Sequence, residues 1–369
     1  MDQDKEKMQA TGDESVQIKC EACGGVMRYS PSRENLKCIY CGHEQELDKT
    51  PIEVPTYRFD EWCDNEEARM DAPESEATRE VKEVKCKQCG AVTELPEHVS
   101  SQKCPFCGTT LVLDDSSSRR FWKPGAMLPF KVEEKDARIK YKKWLSGKFF
   151  APNGLRKNVA ATSGFRGIYL PYWGYDADTH SNYIGERGVD HTREVERNGK
   201  RTMVTETEWH RVHGHVDYPF SNVLVPGSKT VPPTFARALS NWDLDSSVAY
   251  RKEFVSGFVT ELYQRDFIES GEKAKGRMSM LIDSVIRSDI GGDKQRVTHV
   301  ETDYEDFMFK LFLLPVWISS FRYNGKIYQF VVNGRTGQVS GEYPTSLWKV
   351  LFTILGVVGA IALAYYLMS

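Results

Sequence analysis

The chain has 369 residues, a net charge of -3, 27% charged residues and 40% hydrophobic residues. That is an ordinary composition for a folded protein of two or three domains, and it leaves no overall positive charge to hold a polyanion. Eight of the nine cysteines fall into two copies of one frame, which makes the first third of the sequence the most informative part.

Residues 1–15 are polar and acidic, are expected to be disordered, and lack the apolar core of a signal peptide. Residues 16–47 contain Cys20-x2-Cys23 and, fourteen residues on, Cys38-x2-Cys41. Residues 81–113 repeat the frame with Cys86-x2-Cys89 and Cys104-x2-Cys107. A two-residue gap lets both thiolates of a pair reach one ion at about 2.3 Å, and two pairs complete a tetrahedron. Glycine directly follows each pair, where a positive φ closes the knuckle. The reading is two small β zinc ribbons, each with one structural Zn2+. Units of roughly thirty residues have too little core to fold unaided, so metal must supply on the order of 10 kcal/mol or more. Four disulfides are the competing use of eight cysteines, and iron in a rubredoxin-like site is the competing metal. Without a signal peptide, the thiols point to a reducing cytosol.

Residues 48–80 include Asp60, Glu61, Asp64, Glu66, Glu67 and Asp71, with few apolar side chains, and are expected to be a flexible acidic linker. Cys63 within it reads as an ordinary thiol. Residues 114–126, which begin DDSSS, are expected to be a shorter hinge. Residues 127–345 carry the mixed pattern of one α+β domain with a largely antiparallel sheet. Residues 133–146 place Ala137, Tyr141, Trp144 and Leu145 on one helical face, with Gly147 as the stop. Residues 271–289 predict a second helix with Ala274, Met278, Leu281, Val285 and Ile286 on its apolar stripe. Residues 202–218 alternate as a strand does, and residues 309–321 with 326–332 predict a hairpin turning at Asn324-Gly325. A turn at residues 333–337 leads to a strand at 338–342. Leu-Pro-x-Trp occurs at residues 170–173 and again at 314–317, which fits either a duplicated half-domain or two strands of one sheet.

Residues 350–368 contain no charge. As a helix they span about 28 Å at 1.5 Å per residue, close to the roughly 30 Å of a bilayer's hydrocarbon core. Trp348 at the entry and Tyr365 and Tyr366 at the far end suit the two interfaces. Residues 348–368 are therefore expected to be a transmembrane helix and tail anchor. Lys349 on the N-terminal side and the reduced thiols both place the body in the cytoplasm. Gly356 and Ala360 form a small-xxx-small pair through which a partner helix could approach.

Several ordered features together resemble a bacterial family of membrane-anchored double zinc-ribbon proteins. They are the paired ribbons, LPFKV at 128–132, GIYLPYWGYDAD at 167–178, LLPVW at 313–317, YNGKIYQFVVNGRTGQVSGEYP at 323–344 and the terminal apolar helix. Members are often labelled TFIIB-type zinc-ribbon or primosomal-protein-N′-like, and related members lie beside phage-shock-protein-A and SPFH-like proteins. The resemblance implies a membrane platform that recruits such partners during envelope stress.

A helicase would need a phosphate-cradling Gly-Lys-Ser/Thr loop. The chain's Gly-Lys pairs, at Gly147, Gly199 and Gly325, are followed by Phe149, Arg201 and Ile327, so that label fails. The ribbons balance Lys19, Arg28, Arg33 and Lys37 against Glu21, Glu34, Glu44 and Glu46, and Lys82, Lys85, Lys87 and Lys103 against Glu83, Glu94 and Glu97. That balance argues against a phosphate-binding surface. His213, His215 and Asp217 share one strand face, with His210 opposite, as a candidate metal or acid–base site; the competing reading is a solvated sheet face. Asp176 and Asp178 lack a matching base or nucleophile, and no nucleophile elbow is evident. The expected function is a non-catalytic, tail-anchored adaptor for cytosolic proteins. The alternative is a membrane-tethered nucleic-acid protein of replication or transcription.

Overall fold

The computed structural model describes residues 18–48, 53–64, 77–94, 101–112, 116–152, 155, 165–197, 200–235 and 238–368. The expected disordered N-terminus and residues 49–52 and 65–76 of the acidic stretch lie outside the described residues. Three strands of unusual length organise the body: Arg166–Arg197, Lys200–Pro226 and Lys294–Tyr323. The first two form a hairpin, and the third runs antiparallel along the first from Arg166↔Ile318 to Gly188↔Lys294. With Lys200–Pro226 as an edge strand, they belong to one nine-stranded sheet. Its pairings are antiparallel except where Ala126–Met127 joins the third long strand and Val259–Thr260 joins the first.

Strict alternation fixes which face of this sheet is covered. Tyr175, Ala177, Thr179, Ser181 and Tyr183 are buried, while Asp178 and Asn182 between them are exposed. The helix Phe267–Ile290 covers the buried face with Ala274, Met278, Ile282, Ile286 and Ile290. These positions step by four, so Ile282 takes the place expected for Leu281, which is 41% exposed. Asp266 caps the helix by accepting the Glu269 amide at 2.6 Å. The helix Glu134–Ser146 buries Ala137, Tyr141 and Leu145 as expected. Asn324 and Gly325, with φ of 47° and 79°, make the two-residue turn between Lys294–Tyr323 and Lys326–Asn333. Val339–Gly341 adds the strand expected after it.

The repeated Leu-Pro-x-Trp segments are neighbours in this sheet. Leu170 pairs across the strands with Leu314, its own counterpart in the repeat, which puts a local two-fold centre at that pair.

Two segments expected to be loose are part of the body. Within the acidic stretch, Tyr57–Arg58 pairs with Phe309 and Met308, and the helix Phe59–Cys63 follows it against the sheet. Tyr57 and Phe59 carry the docking: Tyr57 packs 5.0 Å from Trp122, and Phe59 lies 5.7 Å from Phe267. Cys63 packs partly buried against the same cluster. The expected hinge is also structured. Ser116–Trp122 pairs along Thr78–Lys85, and Phe121 and Trp122 are buried. Local acidity and serine content mask four aromatic anchors, Tyr57, Phe59, Phe121 and Trp122, whose partners lie far away in sequence.

Candidate metal centres

The first ribbon is a four-stranded antiparallel sheet of Ile18–Lys19, Val26–Ser30, Asn35–Cys38 and Glu44–Glu46. The second uses Thr78–Lys85 with Val92–Glu94, and Ser101–Lys103 with Thr110–Val112. All four cysteine pairs adopt one knuckle. The first cysteine's amide donates to the carbonyl five residues on, as Cys20 does to Gly25 and Cys86 to Ala91, at 2.6 and 2.8 Å. The glycine four residues on donates back to that cysteine's carbonyl at 2.8 to 3.1 Å. Gly24, Gly42, Gly90 and Gly108 accordingly have φ of 70°, 76°, 78° and 75°.

This geometry gathers the sulfurs of each frame into one group. Cys20 and Cys41 lie 3.7 Å apart and Cys23 and Cys38 3.5 Å apart; in the second frame Cys86–Cys107 and Cys89–Cys104 are both at 3.5 Å. A tetrahedral zinc with Zn–S of about 2.3 Å has sulfur–sulfur edges of about 3.8 Å. The spacing therefore fits one ion per group, and all nine cysteines are free of disulfides. The residue types and distances also fit iron, but four thiolates in closed tetrahedra are the usual structural zinc set.

Each group splits its thiols rather than ionising them all. The Cys41 amide leads in lowering the Cys38 thiol to about 6, and the hydrogen bond from Cys104 leads in lowering Cys89 to about 5, while their neighbours Cys23, Cys86 and Cys104 are raised. Protons compete with the metal for the thiolates, so dialysis from about pH 7.5 to about pH 4.5 is expected to strip the metal, by metal analysis of the retained protein.

Both ribbons are built into the body. Tyr29 donates its amide to Ser256 and packs on Phe254 at 5.2 Å, and the Ser256 hydroxyl donates to Met27. Cys20 and Cys38 sit in one apolar cluster with Phe130, Tyr169 and Trp317. Cys86, Cys104 and Phe106 share another with Ile168, Leu170 and Phe312. A cleft of about 1170 Å³ opens between the second knuckle of each ribbon, with Arg28, Lys37, Tyr40, Lys103 and Arg166 among its walls. Ile39 and Tyr40, inside the CIYC knuckle, are 42% and 70% exposed there.

Glu261 marks the seam between the second ribbon and the sheet, bridging to Thr93. Its carboxyl is buried and accepts from Ser228, Thr230 and Gln264. Burial pushes its pKa up to about 7. An acid with a raised folded pKa loses stability as pH rises from the unfolded value of about 4.3 to the folded one. Glu261→Gln is expected to remove that decline, so thermal midpoints of variant and parent should diverge in the variant's favour between about pH 5 and pH 8.

The expected histidine site is rearranged. His215 and Asp217 are brought together with His180 of the neighbouring strand, while His213 pairs opposite Ile184 and stays outside the group. Histidine spacing within a single strand could not reveal His180, because its approach depends on cross-strand register. Asp176 holds Lys310 at 2.8 Å and accepts from the Asn222 amide, a structural role at a bulge.

Leu347–Met368 is a helix long and apolar enough to cross a membrane, and none of its residues is buried. Its root is fastened to the body: Lys349 donates to the carbonyls of Phe149 and Ala151 at 3.0 and 2.7 Å, and the Ser346 amide donates to Phe150.

No family model and no solved structure matches the chain. It is similar to an uncharacterized protein of Bacillus subtilis strain 168, YdjG, with 26% identity over 357 residues, covering 96% of this chain and 97% of that protein.

Proposed function

We propose that the chain is a non-catalytic, tail-anchored scaffold. Two structural zinc ions build its ribbons, the terminal helix holds its body at the cytoplasmic face of a membrane, and other proteins dock on that body. The observation that carries this reading is the terminal helix, without a buried residue and apolar beyond Lys349, yet rooted in the body through that lysine. An unburied span of this length is stable only against lipid or another helix. Gly356 and Ala360 offer the approach for such a helix. The cleft between the ribbons supplies an exposed tyrosine, Tyr40, with Arg28 and Arg166 in its walls, side-chain types that protein interfaces favour. Phage-shock-protein-A and SPFH-like proteins are the partners that the family resemblance suggests.

Affinity capture of the full-length chain from detergent-solubilised membranes, read by mass spectrometry, tests the proposal. Recovery of membrane-stress proteins, lost on Tyr40→Ala, is the expected result. Salt-dependent retention of DNA without any protein partner would support the nucleic-acid reading in its place.

A further inference from the structure

The sheet face opposite the helix Phe267–Ile290 carries a second kind of donor cluster. His180 Nδ1 and His215 Nε2 each lie 2.7 Å from one atom, Asp217 Oδ1. The other nitrogen of each ring faces an oxygen: His215 Nδ1 is 2.9 Å from Asn182 Oδ1, and His180 Nε2 is 3.7 Å from Glu305 Oε2. When His215 donates its Nδ1 proton to Asn182, its Nε2 lone pair points at a carboxylate oxygen, and two acceptors at 2.7 Å need a positive centre between them. A proton or a metal ion supplies it. A ligating histidine normally gives its other N–H to a carboxylate or amide oxygen, which is the job Asn182 and Glu305 are placed to do.

The surroundings favour a cation. Asp178, Asp217, Glu301, Asp303 and Glu305 stand on exposed positions of this face across three strands, with Arg211 as a counter-charge. The three donor atoms lie within 4.8 Å of one another, and the side chains of His180, His215 and Asp217 are 38%, 47% and 62% exposed. The geometry points to a third metal site, formed by His180, His215 and Asp217, for an exchangeable divalent transition metal of the imidazole-preferring class such as Zn2+ or Ni2+. Two nitrogens and one oxygen leave coordination positions open to water, in contrast to the closed thiolate groups of the ribbons. The site therefore exchanges with free metal while the ribbon ions stay. It depends on neither the membrane anchor nor the adaptor role.

The test is equilibrium dialysis of the full-length chain in detergent against Zn2+, followed by metal analysis before and after a brief chelator wash. About three ions per chain falling to two are expected, because only the two closed thiolate sites hold their ion through the wash. His180→Ala with His215→Ala should give two at both stages, the two retained ions showing that the variant is intact. Asp217→Asn, which preserves shape, should weaken the third equivalent by more than about tenfold, the scale of losing an oriented partner at a metal site. A parent chain that never exceeds its chelator-resistant ions overturns the site. So does a third equivalent that persists unchanged in Asp217→Asn or in the double variant.

Discussion

Serine in place of Cys104 is expected to remove one metal ion per chain and to loosen the second ribbon from the sheet. Cys104 is buried, 3.5 Å from Cys89, and belongs to the cluster that contains Ile168, Leu170 and Phe312. A structural zinc contributes about 10 kcal/mol or more to a unit of this size. Loss of even half of that, at about 2–4 °C per kcal/mol for a body of roughly 200 residues, lowers the thermal midpoint by about 10–20 °C. The damage extends beyond the ribbon because Gln329 donates to the Phe106 carbonyl, and the Leu262 amide donates to Val92. Scanning calorimetry alongside metal analysis checks both parts. A variant that keeps the parent's midpoint while losing one ion would show that the ribbon is ornamental to the body.

Arginine at Val358 is the second large effect. Val358 lies near the middle of Leu347–Met368 and is 58% exposed. A charged residue at the centre of a spanning helix costs about 2.5–3.5 kcal/mol, and the apolar side chain it replaces contributed a few tenths more. That shifts the insertion equilibrium by about two orders of magnitude, at about 1.4 kcal/mol per tenfold. Deleting residues 347–368 should move the chain to the soluble fraction outright, with the ribbons still metal-loaded because the helix root is fastened to Phe149, Phe150 and Ala151 rather than to the knuckles. Fractionation with immunodetection separates these outcomes. A chain without the helix that still sediments with membranes would mean that the body itself carries the attachment.

What the sequence disclosed was local, and what it hid was remote. The cysteine frames were legible because a knuckle closes within six residues, and its glycine declares the positive φ it must adopt. The Asn324-Gly325 turn was legible for the same reason. The docking of Tyr57 on Phe309 was not, since the partner lies some 250 residues on and the intervening acidic composition reads as a linker. The hinge reading of residues 114–126 failed likewise: DDSSS signals a loop, but Phe121 and Trp122 find their burial against Tyr263 and Phe309. His180 joins His215 only through the register of a hairpin, which period-two alternation within either strand does not encode. The same alternation did place His215 and Asp217 on one face and keep His213 available as a competitor that register then removed.

The ribbons also changed in character. They had the look of small modules on a tether, and they are instead wedged against the sheet through Tyr29 and Phe106. Metal binding and body stability are therefore coupled, and a docking partner at the knuckles would sense both.

The most direct test of a membrane-held body built on two metal ions is the zinc-to-protein ratio of the full-length chain extracted from membranes. Protein recovered from the membrane fraction under reducing conditions and washed briefly with chelator should carry about two zinc ions per chain. A ratio near zero in folded protein, or recovery only from the soluble fraction, would contradict the account.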